Sequence, residues 1–246
     1  MKGAVVPVAL LLLAEAACRV FGVRSDSLAA PSEAVMALGK ALADGTLLGW
    51  TAETMGAALA GLGLGAGSGV LVAAAIGLSP AVSRLLRLPI EFLRPIPSIA
   101  LLPLALLAFG FGFRLEIAIV AFATFWPTVI VGGAAIAAVD PQLIEVARVL
   151  RLGWAARVWK VVLPAALPRL FVALRLAAGV ALIVAVTVEI ALNPLGLGFA
   201  MMQAQQMLQP ALMFAVLIWV GVLGWALNAV LLLVQRRAFG PVGAGR

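Results

Sequence analysis

The sequence predicts an all-α integral membrane protein with six transmembrane helices and both termini in the cytoplasm. Three observations predict it. Hydrophobic residues fill 65% of the 246 positions and charged residues 11%, with a mean hydropathy of +1.19; soluble domains carry about 25% charged and about 45–50% apolar residues. The apolar stretches run for ~20 residues instead of alternating over ~10, which selects helices over a β-barrel. The net charge of +7 gathers in alternate loops, as membrane topology requires, so it indicates a lipid bilayer and no nucleic-acid partner.

The first span is read at 4–22. Lys2, the apolar run to Leu13 and Ala14-Glu15-Ala16 also outline a signal peptide, and Ala16-Ala17-Cys18 a lipoprotein site in which Glu15 stands where an apolar residue is expected. An uncleaved span is therefore the reading. Glu15 and Arg19 lie one helical turn apart and can pair. Residues 24–50 form an external amphipathic segment. Its helix opens at Pro31-Ser32-Glu33, carries an apolar stripe of Val35, Met36, Leu38 and Leu42, and closes at Asp44-Gly45; it is expected on the membrane surface.

The second span is placed at 55–78. Its glycines lack the preceding strand and the following Lys-Ser/Thr of a phosphate loop. Gly61, Gly65 and Gly69 instead have the four-residue spacing that lets membrane helices approach closely. A loop at 79–94 bears Arg84, Arg87 and Arg94. The third span, 96–113, contains Pro97 and Pro103 and ends at Phe109-Gly110-Phe111-Gly112-Phe113. Prolines at this density break helix, and a bilayer tolerates the break only where protein or water covers the freed backbone. This span is expected to face the bundle interior or a pathway.

The fourth span covers 115–139. Asp140-Pro141 then reads as a helix cap followed by proline at the first helical position. A helix over 141–151, a turn near Gly153 and a second helix to Val162 follow, with Pro164 and Pro168 ending the segment. The fifth span, 170–192, holds Glu189 near its far end and closes at Asn193-Pro194; the sixth covers 210–234. With the N-terminus inside, 13 Lys and Arg lie inside and 4 outside, which sets the orientation and puts Ile144–Pro168 in the cytoplasm.

The absence of His excludes histidine catalysis and histidine metal sites, and the single Cys18 excludes an intrachain disulfide. No phosphate loop appears, so the chain itself is read as binding neither ATP nor any cofactor. Glu15 and Glu189 are read as the acidic residues within the spans, both near the outer end, and no inverted repeat is evident. An ion-gradient-driven carrier or channel, the alternative function, wants carboxylates near the midplane.

At the charged segment the residues resemble a family. Glu145-x-Ala147, with Leu163-Pro164 placing proline 19 residues after the glutamate, resembles the EAA loop of bacterial ABC-importer permeases. Glu91-Phe92-Leu93-Arg94-Pro95-Ile96-Pro97-Ser98, Pro103-Leu104 and Phe109-Gly110 are similar to a signature of the sulfonate, taurine and nitrate branch. So are Ala43-Asp44-Gly45 before the second span and Val188-Glu189 with Gly196-Leu197-Gly198. The resemblance covers about residues 35–240. It implies the type I ABC importer permease fold in one transmembrane domain, 1–246, with an extra N-terminal span, core spans 55–234 and a cytoplasmic coupling loop at 140–168.

It further implies a bacterial inner-membrane, multi-pass protein, with a second permease copy, a cytoplasmic ABC ATPase dimer that holds ATP and Mg, and an external substrate-binding protein. The substrates of the branch are sulfonates, nitrate, bicarbonate, pyrimidine precursors and aromatic acids. Carried over, Glu145, Ala147, Arg148, Arg151, Gly153, Leu163 and Pro164 are the ATPase-coupling positions. Glu145 would meet a basic residue of the ATPase, and Ala147 would permit close approach. Pro97, Pro103, Phe109, Glu189 and Asn193 are assigned to the translocation pathway. One position departs from the pattern: Arg151 stands where the family has glycine. An L-residue is poorly suited to a left-handed turn, so a turn shifted toward Gly153, or a longer first helix, is expected.

Overall fold

The computed structural model describes residues 5–20 and 28–240. Lys2, Arg24 and Arg246, which entered the charge count, lie outside the described residues. So do both ends of the 4–22 span. Helix α1, Val5–Val20, runs unbroken through Glu15. Its described part is 16 residues, about 24 Å long. The Glu15–Arg19 pair forms, with Nε to Oε1 at 2.7 Å. Ser32 also donates to Glu15 from its backbone N–H and its hydroxyl, which fastens α1 to the next helix.

Helix α2 is Pro31–Ala43, with proline in its first turn and Glu33 accepting from the Ala30 N–H. Its buried side is Ala34 and Ala41, with Leu38 and Leu42 packed beside Leu47, Leu197 and Val216. Val35 and Met36 turn outward. The expected surface stripe is therefore split, and α2 is docked on the bundle by half of it. Asp44 ends α2 and accepts from the Thr46 N–H and hydroxyl, which hold its carboxyl below the usual range. Gly45 follows at φ +81°, the left-handed conformation that glycine permits.

Helix α3, Thr46–Leu78, starts nine residues earlier than the predicted span. It lies against α6, Phe113–Ala137. A Cβ at Gly61 would lie 2.6 Å from Val120, one at Gly65 would strike Thr124 and the Ala121 carbonyl, and one at Gly69 would lie 2.8 Å from Thr128. Positions rising together on both helices make the pair parallel. Gly63 and Gly67, off the seam, meet nothing. The small-residue spacing thus forms a seam, with backbones closer than any side chain allows.

Parallel neighbours need a return path between them. It is made by α4, Pro80–Leu93, a 3-10 turn at Ser98–Leu101 and α5, Leu102–Phe109, with α4 bent 82° from the rest. The span predicted at 96–113 is thus a broken piece, because Pro95, Pro97 and Pro103 remove backbone donors and Gly110 and Gly112 take positive φ. Leu102 and Ala105 are buried in the core, while Leu104, Leu107 and Phe109 are exposed.

Beyond α6 come α7, Pro141–Val149; α8, Trp154–Arg157; a π turn, Val158–Val162; and α9, Leu163–Ala191. Pro164 and Pro168 were expected to end a helix. They lie inside one apolar helical run from Ala155 to Ala191. The π turn explains this for Pro164. The Leu163 N–H reaches back to the Val158 carbonyl, which widens the helix where the Pro164 ring would otherwise meet the Lys160 carbonyl.

Helix α10, Gly196–Gln206, and α11, Pro210–Phe239, complete the chain. Among the described residues α3, α6, the 155–191 run and α11 are long and apolar enough to span, and the bent α4–α5 pair makes a fifth. We call the ends bearing Phe113 and Ala191 outer, and those bearing Leu78 and Ala137 inner, after the charge count.

Candidate coupling surface and pathway

At the inner end the segment after α6 is a small capped unit. The Asp140 carboxylate accepts from the Gln142 N–H at 2.9 Å, and Pro141 occupies the first turn. At its other end the Arg151 N–H donates to the Arg148 carbonyl at 2.9 Å and the Leu152 N–H to the Ala147 carbonyl at 3.0 Å. These two bonds are a Schellman motif. Its left-handed position is Arg151, at φ +52°. The turn has not moved to Gly153, which has open space around it and accepts from Arg157 at the start of α8. Arg151 pays the conformational cost where a glycine would not.

Ala147 is 1% exposed and faces the fold, where α7 meets the π turn. The close approach it permits is thus within the chain. The outward side of α7 carries Leu143, Val146, Val149 and Leu150 at helical spacing, with Glu145 and Arg148 among them. Neither charge belongs to an ion pair among the described residues. Trp159 is exposed, Leu163 is half-buried and Pro164 is exposed. Beneath, Ile136, Val139, Val162, Ala166 and Leu170 form a buried base. The Arg169 guanidinium donates to the Ala138 carbonyl at 3.1 Å, tying α9 to the carbonyl end of α6.

The five predicted pathway residues divide. Pro97, Pro103 and Phe109 are exposed along the broken span. Glu189 and Asn193 are buried, at 1% and 0% exposure, in a polar clamp at the outer end. The Thr54 hydroxyl and the Gly198 N–H each donate to Glu189 at 2.7 Å. The Asn193 amide donates to Glu116 at 2.9 Å and accepts from the Gly112 N–H at 2.8 Å. Glu53 accepts from the Gly196 N–H, and the Thr54 oxygen from the Leu197 N–H. Gly196 has φ +79°, and a Cβ there would strike Glu189.

Sequence reading missed Glu116 and Glu53, both of which lie within helices. Glu116 falls inside the predicted fourth span, and Glu53 sits just before the predicted start of the second. Three carboxylates near the outer ends of different spans were the available signal. Arg94 is also misplaced by the charge count. It lines a cavity with Phe122 and Trp126, near the middle of α6, and not a cytoplasmic loop.

An all-helical bundle of long apolar helices with one broken span is an architecture that membrane permeases use. The family model described as "Binding-protein-dependent transport system inner membrane component" matches residues 61–239, and the chain belongs to that family. It is 31% identical over 237 residues to a Bacillus subtilis strain 168 protein described as an aliphatic sulfonates transport permease, covering 96% of this chain and 86% of that one. It is 33% identical over 169 residues to the taurine transport system permease protein of Escherichia coli K12, covering 69% and 62%.

A methionine ABC transporter in an inward-facing conformation superposes with a TM-score of 0.71 at 19% identity, covering 78% of this chain and 95% of that one. This likeness shows the type I importer permease fold. The protein is a translocation subunit of an ATP-driven importer of the sulfonate, taurine and nitrate branch, in the bacterial inner membrane. The ion-gradient carrier is not favoured. Membership implies an ATPase and a substrate-binding protein as partners.

Proposed function

We infer that the permease works as a homodimer whose α7 segments seat in grooves of a cytoplasmic ATPase dimer, and that ATP and Mg bind those partners. Glu145, Arg148, Arg151, Gly153, Leu163 and Pro164 serve as coupling positions, with Ala147 holding α7 to its own chain. The domain runs through the whole chain, 1–246, with an N-terminal span added to five core spans and both termini cytoplasmic. ATP-driven closure of the ATPases pulls α7, the spans swing to an outward-open state, and the binding protein releases a small polar or anionic solute; hydrolysis resets the cycle.

The observation that carries this reading is the outward face of α7. It is apolar with two charges that are unpaired among the described residues, and it is held by hydrogen bonds at both ends. A loop present only for topology needs positive charge but neither cap nor apolar face. The test is reconstituted transport and ATP hydrolysis with Glu145→Arg. Loss of transport by about tenfold or more is the expected result, in keeping with a charge-assisted contact. Unchanged transport and hydrolysis refute the coupling role.

A further inference from the structure

A cavity of about 350 Å³ lies between the broken span, α6 and α9. Its apolar wall includes Phe122, Pro127 and Val184; its polar side chains are Arg94, Ser98 and Trp126. Trp126 stands about 20 Å from the outer end of α6 and about 16 Å from the inner end at 1.5 Å per residue, so the cavity is at mid-depth. An arginine at that depth is costly and marks a solute path unless it is paired. Arg94 belongs to no ion pair among the described residues.

The donor set is one-sided. Arg94 only donates, the Trp126 indole only donates, and Ser98 can do either. The Trp126 Nε1 is covered and has no hydrogen-bond partner. Such an unmet donor costs about 1–3 kcal/mol, which an acceptor bound against it would recover. Pro127 leaves the Ala123 carbonyl without its helical partner, and Ala123 also lines the cavity. One acceptor therefore stands beside the donors, open to a solute that has a donor of its own. The volume fits a small solute.

We propose that Arg94, Ser98 and Trp126 form an oxyanion-binding step at mid-membrane, where the solute pauses between the binding protein and the cytoplasm. This rests on the importer reading and adds to it three residues of this chain that would hold a small oxyanion inside the membrane. The broken span now has a purpose. Its prolines stop the helix at mid-depth and place Arg94 and Ser98 on either side of the bend.

The experiment uses the full permease with its ATPase in lipid nanodiscs. Tryptophan fluorescence is read while ethanesulfonate, nitrate and acetate are titrated in turn, with chloride holding ionic strength and Trp126→Phe as the blank. At least one anion gives a saturable signal that ethanol and ethylammonium do not. Arg94→Gln weakens that binding about ten- to hundredfold, and Arg94→Lys weakens it less. Should Arg94→Gln fail to assemble, Ser98→Ala carries the test, with weakening of about threefold or more.

Saturation that survives Arg94→Gln unchanged, equal saturation with ethylammonium, or no saturation with all three anions overturns the site. ATP hydrolysis measured in the same wild-type discs, and its loss in Glu145→Arg, reports separately on the importer reading.

Discussion

Arg151→Gly is the change that interrogates the coupling turn most directly. Arg151 closes α7 with φ at +52°, and its N–H and that of Leu152 hold the last carbonyls of α7. A left-handed L-residue costs about 1–2 kcal/mol. Glycine removes that cost but loses about 0.5–1 kcal/mol through its freer unfolded chain. The net gain is about 0.5–1 kcal/mol, and it is local because only the turn changes. Opening of the turn therefore slows by about two- to fivefold. Hydrogen–deuterium exchange at Arg151 and Leu152, in the permease held in nanodiscs, reads that opening. Arg151→Ala is the control, since it removes the guanidinium and keeps the strain, and its exchange should stay at the wild-type rate. If alanine slows exchange as much as glycine, charge and not φ sets the turn's stability. If glycine leaves exchange unchanged or faster, the strain argument is wrong.

Two further outcomes are expected. Gly65→Ala drives a Cβ into Thr124 and the Ala121 carbonyl and lowers stability by about 1–3 kcal/mol. Gly63→Ala meets nothing and leaves stability level or raised by up to about 1 kcal/mol; equal melting temperatures for the two in detergent would contradict the α3–α6 seam. Asn193→Leu leaves the half-buried Gly112 N–H and a buried Glu116 oxygen without partners and costs about 1–3 kcal/mol for the buried oxygen. The same melting assay, with exchange at Gly112, detects it, and a shift equivalent to less than about 0.5 kcal/mol would mean that the clamp does not hold the outer end.

Features that depend on chain neighbours were readable in advance. The Gly61-Gly65-Gly69 spacing predicts a helix seam because four residues return to one face, and the seam lies there. Asp140-Pro141 predicts a helix start because the cap bond spans two residues, and Gln142 makes it. Features that depend on distant partners were not readable. Thr54 and Glu189 are 135 positions apart, and no periodicity relates them. The prolines misled in one place and informed in another. Pro164 is harmless because a π turn precedes it and Pro168 is carried inside α9, while Pro95 and Pro97 divide a span where nothing widens to receive them. Arg151 was judged by intrinsic preference alone. Two hydrogen bonds and the packing of Ala147 outweigh that preference.

The same π turn bears on how a pull on α7 could reach the far side of the membrane. From Ala155 to Ala191 the chain is one helical run of 37 residues, about 55 Å long. Its inner end is fastened to α6 by Arg169 and by the buried base around Val162 and Ala166. Its outer end carries Glu189, which accepts from α3 through Thr54 and from α10 through Gly198. A rod fixed at both ends cannot shift at one end without loading the other. Had Pro164 and Pro168 broken the chain as their local chemistry suggests, α7 would have hung from a flexible joint and little displacement would have passed beyond it. The widened turn keeps the rod continuous at the position where the coupling segment joins it. Motion at α7 is thereby referred to the Glu189 hydrogen bonds, which must either move as a body with α3 and α10 or open.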